Sequence, residues 1–252
     1  MIPMNDSSAA ADKPLTTRIK HELVRRRLTV KAVDRLSPGM VRILLGGDEL
    51  KGFTSAAPDD HIKLFFGDDM RDFTPRFYDP EENTLAVDFV LHAGGPAGDF
   101  AARAKVGDHL TIGGPRGSLV VSDEVTRWLL IGDETALPAI ARRLEELRPG
   151  NRAQAVVVVA DPDEEQPLTS PADCRVTWVH RPASQAGDAT AVIDVVRALL
   201  LTPDTFIFVG AEASVAKALR HHLLERGHPR AWIKAAGYWV KGAPGEHQPL
   251  DD

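Results

Sequence analysis

The apolar residues of this 252-residue chain change their spacing once, near Ser122-Asp123-Glu124, and that change predicts two folding units. Before it, short alternating runs are separated by Pro, Gly and Asp turns: Leu28–Val33, Met40–Leu45, His61–Phe66, Arg71–Phe77, Thr84–His92 and His109–Ile112. Period-two alternation marks half-buried strands, and six of them in this spacing predict a small antiparallel Greek-key barrel. After it, the compact strands Trp128–Asp133, Ala153–Ala160, Arg175–His180, Thr205–Val209 and Ala231–Ala235 alternate with amphipathic helices over Ala139–Leu147, Thr190–Leu201 and Ala213–Arg226. That order predicts a parallel sheet covered on both faces. The expected division is a flexible tail over 1–22, a β-barrel domain over 23–122, and an α/β domain with a C-terminal extension over 123–252.

Charge and composition exclude several classes. A formal net charge of −6 argues against nucleic-acid partners, which need a basic surface. No apolar run approaches the roughly 20 residues of a membrane helix. The polar start, Met1 to Asp12, lacks the charged-then-apolar order of a secretory signal. One cysteine, Cys174, makes neither an internal disulfide nor a zinc site. A cytoplasmic monomer is expected.

The barrel half carries the chemistry-bearing stretches. In Arg71-Asp72-Phe73-Thr74-Pro75-Arg76, the first Arg offers a planar fork for a phosphate. Phe73, two residues on in an extended strand, faces the same way and suits an isoalloxazine ring. Thr74 adds a hydroxyl and an N–H at the ring edge. Next, Gly94-Gly95-Pro96-Ala97-Gly98 opens a short helix over Asp99–Ala104, whose first N–H groups, with Ala97 and Gly98, suit a phosphate. A second Gly-rich turn, Gly113-Gly114-Pro115-Arg116-Gly117-Ser118, adds an Arg and a hydroxyl. Three such stretches inside about 50 residues point to a flavin.

In the α/β half, open sheets bind ligands beyond the carboxyl ends of their strands. Gly132-Asp133-Glu134-Thr135 and Gly210-Ala211-Glu212-Ala213 lie at two such ends. No G-x-G-x-x-G follows the first strand, so the usual dinucleotide fingerprint is missing.

Taken in order, Arg71 to Arg76, Asp88-Phe89-Val90-Leu91-His92, Gly95-Pro96-Ala97, Gly114 to Ser118, Gly132 to Pro138 and Gly237-Tyr238-Trp239 resemble the siderophore-interacting proteins. These are FAD- and NAD(P)H-dependent ferric-siderophore reductases of the ferredoxin-reductase-like superfamily. The resemblance covers roughly residues 25–245. It implies an FAD-binding barrel and a nicotinamide-binding α/β domain, with electrons passing from NAD(P)H through FAD to siderophore-bound Fe(III). Phe73 stands where the family usually has Tyr, Gly98 where it has Ser or Thr, and Phe100 where it has Trp. The glycine of Gly210-Ala211-Glu212 also comes one place early.

The resemblance implies roles for named residues. Arg71, Asp72, Phe73, Thr74 and Arg76 are expected at the flavin and its phosphates, with Asp88, Val90 and His92 on the same barrel face. Ala97, Gly98, Gly117 and Ser118 line the phosphate end; Asp133, Thr135 and Ala136 meet the nicotinamide. Thr74, Lys63 and Lys241 stand nearest the reaction, and Lys63, Lys241 and Arg127 are the cations for an anionic ferric siderophore. Arg181 and Arg220 are candidates for the 2′-phosphate of NADPH, the donor favoured over NADH or a ferredoxin. The alternatives are a flavin reductase of another acceptor and a non-catalytic iron-siderophore binding protein.

Overall fold

The computed structural model describes residues 15–92, 94–243, 245 and 248–249. Most of the expected tail and part of the C-terminal extension therefore lie outside the described residues. The first half contains β1 (Thr16–Lys20), β2 (Arg25–Ser37), β3 (Met40–Gly46), β4 (Ile62–Phe66), β5 (Asp69–Phe73), β6 (Phe77–Asp79), β7 (Thr84–Val90), α1 (Pro96–Arg103), β8 (His109–Gly113) and β9 (Gly117–Val121). Seven of these strands make one antiparallel sheet in the order β5-β4-β8-β2-β3-β7-β6.

The strand expected over Arg71–Phe77 is two strands. Thr74, Pro75 and Arg76 leave the ladder between β5 and β6, where Pro75 has no N–H to donate. The two outer strands of the curled sheet are thus consecutive in the chain, and the candidate flavin motif sits at the gap between them. The tail expectation is also corrected in part. Residues 16–20 are not loose but form β1, paired antiparallel with β9 from Thr16↔Val121 to Lys20↔Gly117. A Cβ on Gly117 would stand 2.6 Å from the Ile19 carbonyl oxygen, so the glycine permits this close strand approach.

The second half contains β10 (Arg127–Gly132), α2 (Leu137–Glu146), β11 (Arg152–Val159), β12 (Asp173–His180), α3 (Thr190–Ala198), β13 (Thr205–Glu212), α4 (Ala213–Glu225), β14 (Ile233–Trp239) and β15 (Gln248–Pro249). The sheet order is β12-β11-β10-β13-β14-β15, parallel except for β15. Every residue of β13 is buried, as expected for a central strand covered on both faces. Val192 and Val196 of α3 and Val215, Leu219 and Leu223 of α4 cover one face.

The other face is closed differently. Leu137, Ile140 and Leu144 of α2 pack there with Trp128, Leu130 and Phe206, and so do Met40 and Val121 from the barrel half. Val90, at the end of β7, is half-buried against the same cluster. The two units share a core, and this apolar contact fixes the barrel gap relative to the carboxyl edge of the parallel sheet.

Candidate functional site

Strand pairing decides which side chains face which way at the barrel gap. Arg71 pairs with Leu64 and Phe73 with Ile62, both fully buried, so Arg71 and Phe73 lie on the inner face. Asp72 pairs with Lys63 on the outer face, where Lys63 Nζ donates to Asp72 Oδ2 at 2.7 Å. Phe73 packs one side against Phe89, with ring centroids 4.5 Å apart, and stays half-buried. Phe89 in turn meets Phe100 of α1 at 6.2 Å, which links the motif to the helix start. Arg71 uses Nη1 for the Met70 carbonyl at 2.8 Å and for Asp69 at 3.4 Å. Beside it, Gly245 runs at φ 83°, where a Cβ would come within 3.1 Å of that Nη1.

The helix start has the form expected of an anion site. No side chain caps α1 at Gly95, and Pro96 opens the first turn, which leaves the Ala97 and Gly98 N–H groups outside the helical ladder. A Cβ on Gly98 would stand 2.5 Å from the His92 carbonyl oxygen. The absence of the family's usual Ser or Thr there has this steric cause. His92 lies against this helix start with both its carbonyl, beside Gly98, and its ring, beside Gly95.

Several other expected contacts are engaged within the protein. Ser118 is buried, donates to Asp60 Oδ2 at 2.6 Å, accepts from the Ala56 N–H at 3.1 Å, and meets His21 Nε2 at 2.7 Å. Gly117 and Ser118, expected to line a phosphate, join β1, β9 and the Asp60 loop. Asp88 is buried and takes a two-bond pair from Arg42, at 2.6 and 2.8 Å. Arg76 is also buried and bonded to Glu145 of α2, at 2.7 and 2.6 Å. Val90 belongs to the shared apolar core, as described above.

These bonds tie the gap to the α/β half. On α2, Arg142 donates to the Pro75 carbonyl at 3.0 Å, to Ser55 Oγ at 2.8 Å and to the Ser55 carbonyl at 2.9 Å. Lys234 of β14 pairs with Asp59. The Tyr238 hydroxyl bonds Thr74, which is itself buried. Burial, and then Asp59, Asp133 and Asp60 nearby, push the Tyr238 phenol well above its ordinary range, so it remains protonated.

The carboxyl edge of the parallel sheet is built around Asp133. Its Oδ1 accepts from the Thr135 N–H at 2.9 Å and hydroxyl at 2.5 Å. Its Oδ2 accepts from the Glu212 N–H and the Trp239 indole, both at 2.9 Å. One buried carboxylate thereby joins the ends of β10, β13 and β14. Gly132 and Gly210 pack so tightly on Ala136 that a Cβ on either would stand 2.7 or 2.9 Å from the Ala136 Cβ. This is why a glycine ends β10 and why one stands at Gly210. Asp133, Thr135 and Ala136 are brought together as expected, with Asp133 as the tie. Glu212 caps α4, accepting from Ser214 N at 2.7 Å and Lys241 N at 3.2 Å. Burial opposes its charge, but these bonds outweigh it and hold the carboxyl low.

The expected cations scatter. Arg181 directly follows β12, is buried, and donates through Nη2 to Glu134 at 3.1 Å. Lys241 lies at the same edge with Nζ on the Ser184 carbonyl at 2.7 Å. Arg127 does not belong with them. It begins β10, at the sheet's opposite edge, and pairs with Asp204 at 3.2 Å. Arg220 lies seven residues into α4, roughly 10 Å of helix away from the carboxyl edge. Lys63 shares the outer face with Asp72, away from the face of Arg71 and Phe73.

Sequence reading missed Arg42, Asp60, Arg142, Glu145 and Glu134. Only Glu134 had a visible signal, its place inside the Gly-Asp-Glu-Thr turn. The others depend on partners more than 45 residues away.

Comparison with known proteins agrees with this geometry. The family described as "Siderophore-interacting FAD-binding domain" matches residues 29–70 and 68–119, and the one described as "Siderophore-interacting protein" matches 125–242. The NADPH-dependent ferric-chelate reductase of Escherichia coli is 36% identical over 88% of this chain and 95% of its own. The ferric vibriobactin reductase ViuB of Vibrio cholerae is 28% identical over 82% of this chain and 86% of its own. The crystal structure of a siderophore utilization protein from T. fusca superposes with a TM-score of 0.85 at 35% identity, over 92% of this chain and 98% of that one. With both halves matched in order and a reductase of that identity along nearly its whole length, the chain belongs to the siderophore-interacting protein family.

Proposed function

We propose that the protein is an FAD-dependent ferric-siderophore reductase that takes electrons from NADPH and releases iron as Fe(II). One observation carries the reading. The end of the flavin motif, Pro75-Arg76, is held by Arg142 and Glu145 from the α/β half, so the barrel gap lies against that domain. A flavin site and a nicotinamide site in a reductase need that adjacency.

The donor set fits FAD. Phe73 offers a half-buried ring at the gap, Arg71 a guanidinium on the same face, and the start of α1 two N–H groups for a diphosphate. When bound, FAD accepts a hydride from a reduced nicotinamide and passes electrons singly to Fe(III). The chain's own part is positional. Thr74 is buried beside Tyr238, with its hydroxyl and N–H available for the ring edge. Asp133 holds the Gly132–Thr135 turn open in one shape through its four bonds. Hard oxygen ligands favour Fe(III), so reduction loosens the siderophore's hold on the metal. Lys241, on the carboxyl edge, is the cation for an anionic substrate. The same reading has the protein act as a cytoplasmic monomer, with a ferredoxin as the alternative donor.

The test is an anaerobic absorption spectrum of the FAD-loaded protein. The flavin bands should bleach on adding NADPH and return on adding a ferric siderophore. Bleaching only with a reduced ferredoxin would replace the donor. Failure to retain FAD would sink the reading.

A further inference from the structure

Three two-residue ion pairs involve a buried member and an arginine near the candidate site, and one differs from the others. Arg42 meets Asp88 through Nε and Nη2, and Arg76 meets Glu145 through Nη1 and Nη2, each with two bonds of 2.6 to 2.8 Å. Arg181 meets Glu134 through Nη2 alone, at 3.1 Å, although its side chain is 9% exposed and that of Glu134 14%. Glu134 thus meets Arg181 through one nitrogen only, where a parallel two-bond match is the stronger arrangement. Burial, and then the neighbouring Asp133, push the Glu134 carboxyl upward, against the pull of Arg181. Glu134 is thus an ill-fitting partner in an unfavourable place.

The place itself is informative. Arg181 is the residue just after β12, on the carboxyl edge where open α/β sheets bind dinucleotides and where an arginine accommodates a 2′-phosphate. Arg181 also borders a small, mostly apolar cavity of about 20 Å³ with Asp133, Asp188, Val158, Val192 and Leu219, too small to hold a phosphate itself. Asp133 is anchored by four bonds, so Glu134 can swing away without dismantling the turn.

We propose that Glu134 is a specificity-determining residue: it occupies Arg181 as an internal stand-in anion, and the 2′-phosphate of NADPH must displace it. The inference rests on the nicotinamide reading above. A phosphate dianion offers the two-bond match that Glu134 does not make, whereas NADH has nothing to exchange for the carboxylate. Glu134 therefore sets how strongly the site prefers the phosphorylated cofactor.

The experiment is calorimetric binding of 2′,5′-ADP and of 5′-AMP to the FAD-loaded protein and to two variants. Glu134→Gln should tighten 2′,5′-ADP by about tenfold, the size of one charge-assisted hydrogen bond, and leave 5′-AMP unchanged. Arg181→Ala should abolish the difference between the two nucleotides. A ratio unmoved by Glu134→Gln, or a preference surviving Arg181→Ala, overturns the proposal. A thermal melt of each variant checks folding, and Glu134→Ala serves as a second removal of the charge, expected to act in the same direction. NADPH bleaching of the flavin is recorded alongside. Bleaching with an unmoved ratio overturns the exchange alone, whereas no bleaching and no binding of either nucleotide overturns the nicotinamide reading with it.

Discussion

Arg76, at the end of the flavin motif, and Glu145, on α2, meet across the boundary of the two halves through two parallel hydrogen bonds of 2.7 and 2.6 Å. Arg76 is buried while the Glu145 side chain is 41% exposed. Removing the carboxylate leaves a buried guanidinium whose remaining ion-pair partner among the described residues is Asp88, at 4.0 Å. Glu145→Ala should cost about 1–2 kcal/mol, discounted for the exposure of the glutamate. For a chain of this size that is a drop of roughly 2–8 °C in melting temperature. A double cycle with Arg76→Ala should show coupling between the two changes; additive losses would refute the pair's role.

Gly98 has no room for a side chain. Restoring the family's usual serine there places a Cβ 2.5 Å from the His92 carbonyl, so Gly98→Ser should destabilise the protein by about 1–3 kcal/mol. It should also shift the start of α1 and weaken FAD. Equilibrium dialysis of FAD against the variant measures this; unchanged affinity with unchanged stability would show that the strand-to-helix contact is not rigid.

Asp133 accepts four hydrogen bonds while buried. Asp133→Asn substitutes a donor for one acceptor oxygen and sets N–H groups against one another. A loss of about 2–4 kcal/mol is expected, from two or more unsatisfied buried groups. Denaturant unfolding reads it directly. Trp239 fluorescence should change as its indole loses its acceptor.

Glu134 gives stability a pH dependence of defined sign. Its carboxyl is raised in the folded protein, chiefly by burial, so the folded state binds its proton more tightly than the unfolded chain. Stability from this group is therefore lost as pH rises from the ordinary glutamate range, about 4.3, through the raised folded value. Glu134→Gln removes that loss. The melting-temperature difference, variant minus wild type, should grow more positive from about pH 4 to pH 7. A flat difference would place the carboxylate in a more solvated site.

Arg71 stands on the inner face with Phe73. Arg71→Ala should release FAD on gel filtration, an affinity loss of about tenfold or more for one charge-assisted phosphate contact, with little change in apoprotein melting.

The architecture was legible because it is written in local periodicity. The strands alternate, the helices are amphipathic, and Pro and Gly mark their ends. Five of the six strands expected in the first half and the five parallel strands match their expected places within a few residues, while β1 and β9 were not expected and Arg71–Phe77 is divided between β5 and β6. Arg71, Phe73, Thr74 and the Asp133 turn could be singled out as candidates for a related reason, since each sits in a compact motif. What sequence reading lost was pairing. Whether Ser118 or Arg76 faces a ligand or a neighbour depends on Asp60 and Glu145, 58 and 69 residues distant. Arg127 shows another limit: a basic residue beside a functional strand says nothing about which end of the strand it occupies.

β1 also alters how this protein can be trimmed. Its register on β9 is continuous, and His21 and Arg116 extend it by a backbone bond at 3.0 Å. A shortened form beginning at Arg25, the first residue of β2, would leave β9 without its partner and bare its N–H and C=O groups to other molecules. The result would be self-association on concentration, which an assay would register as lost activity although every cofactor contact remained intact.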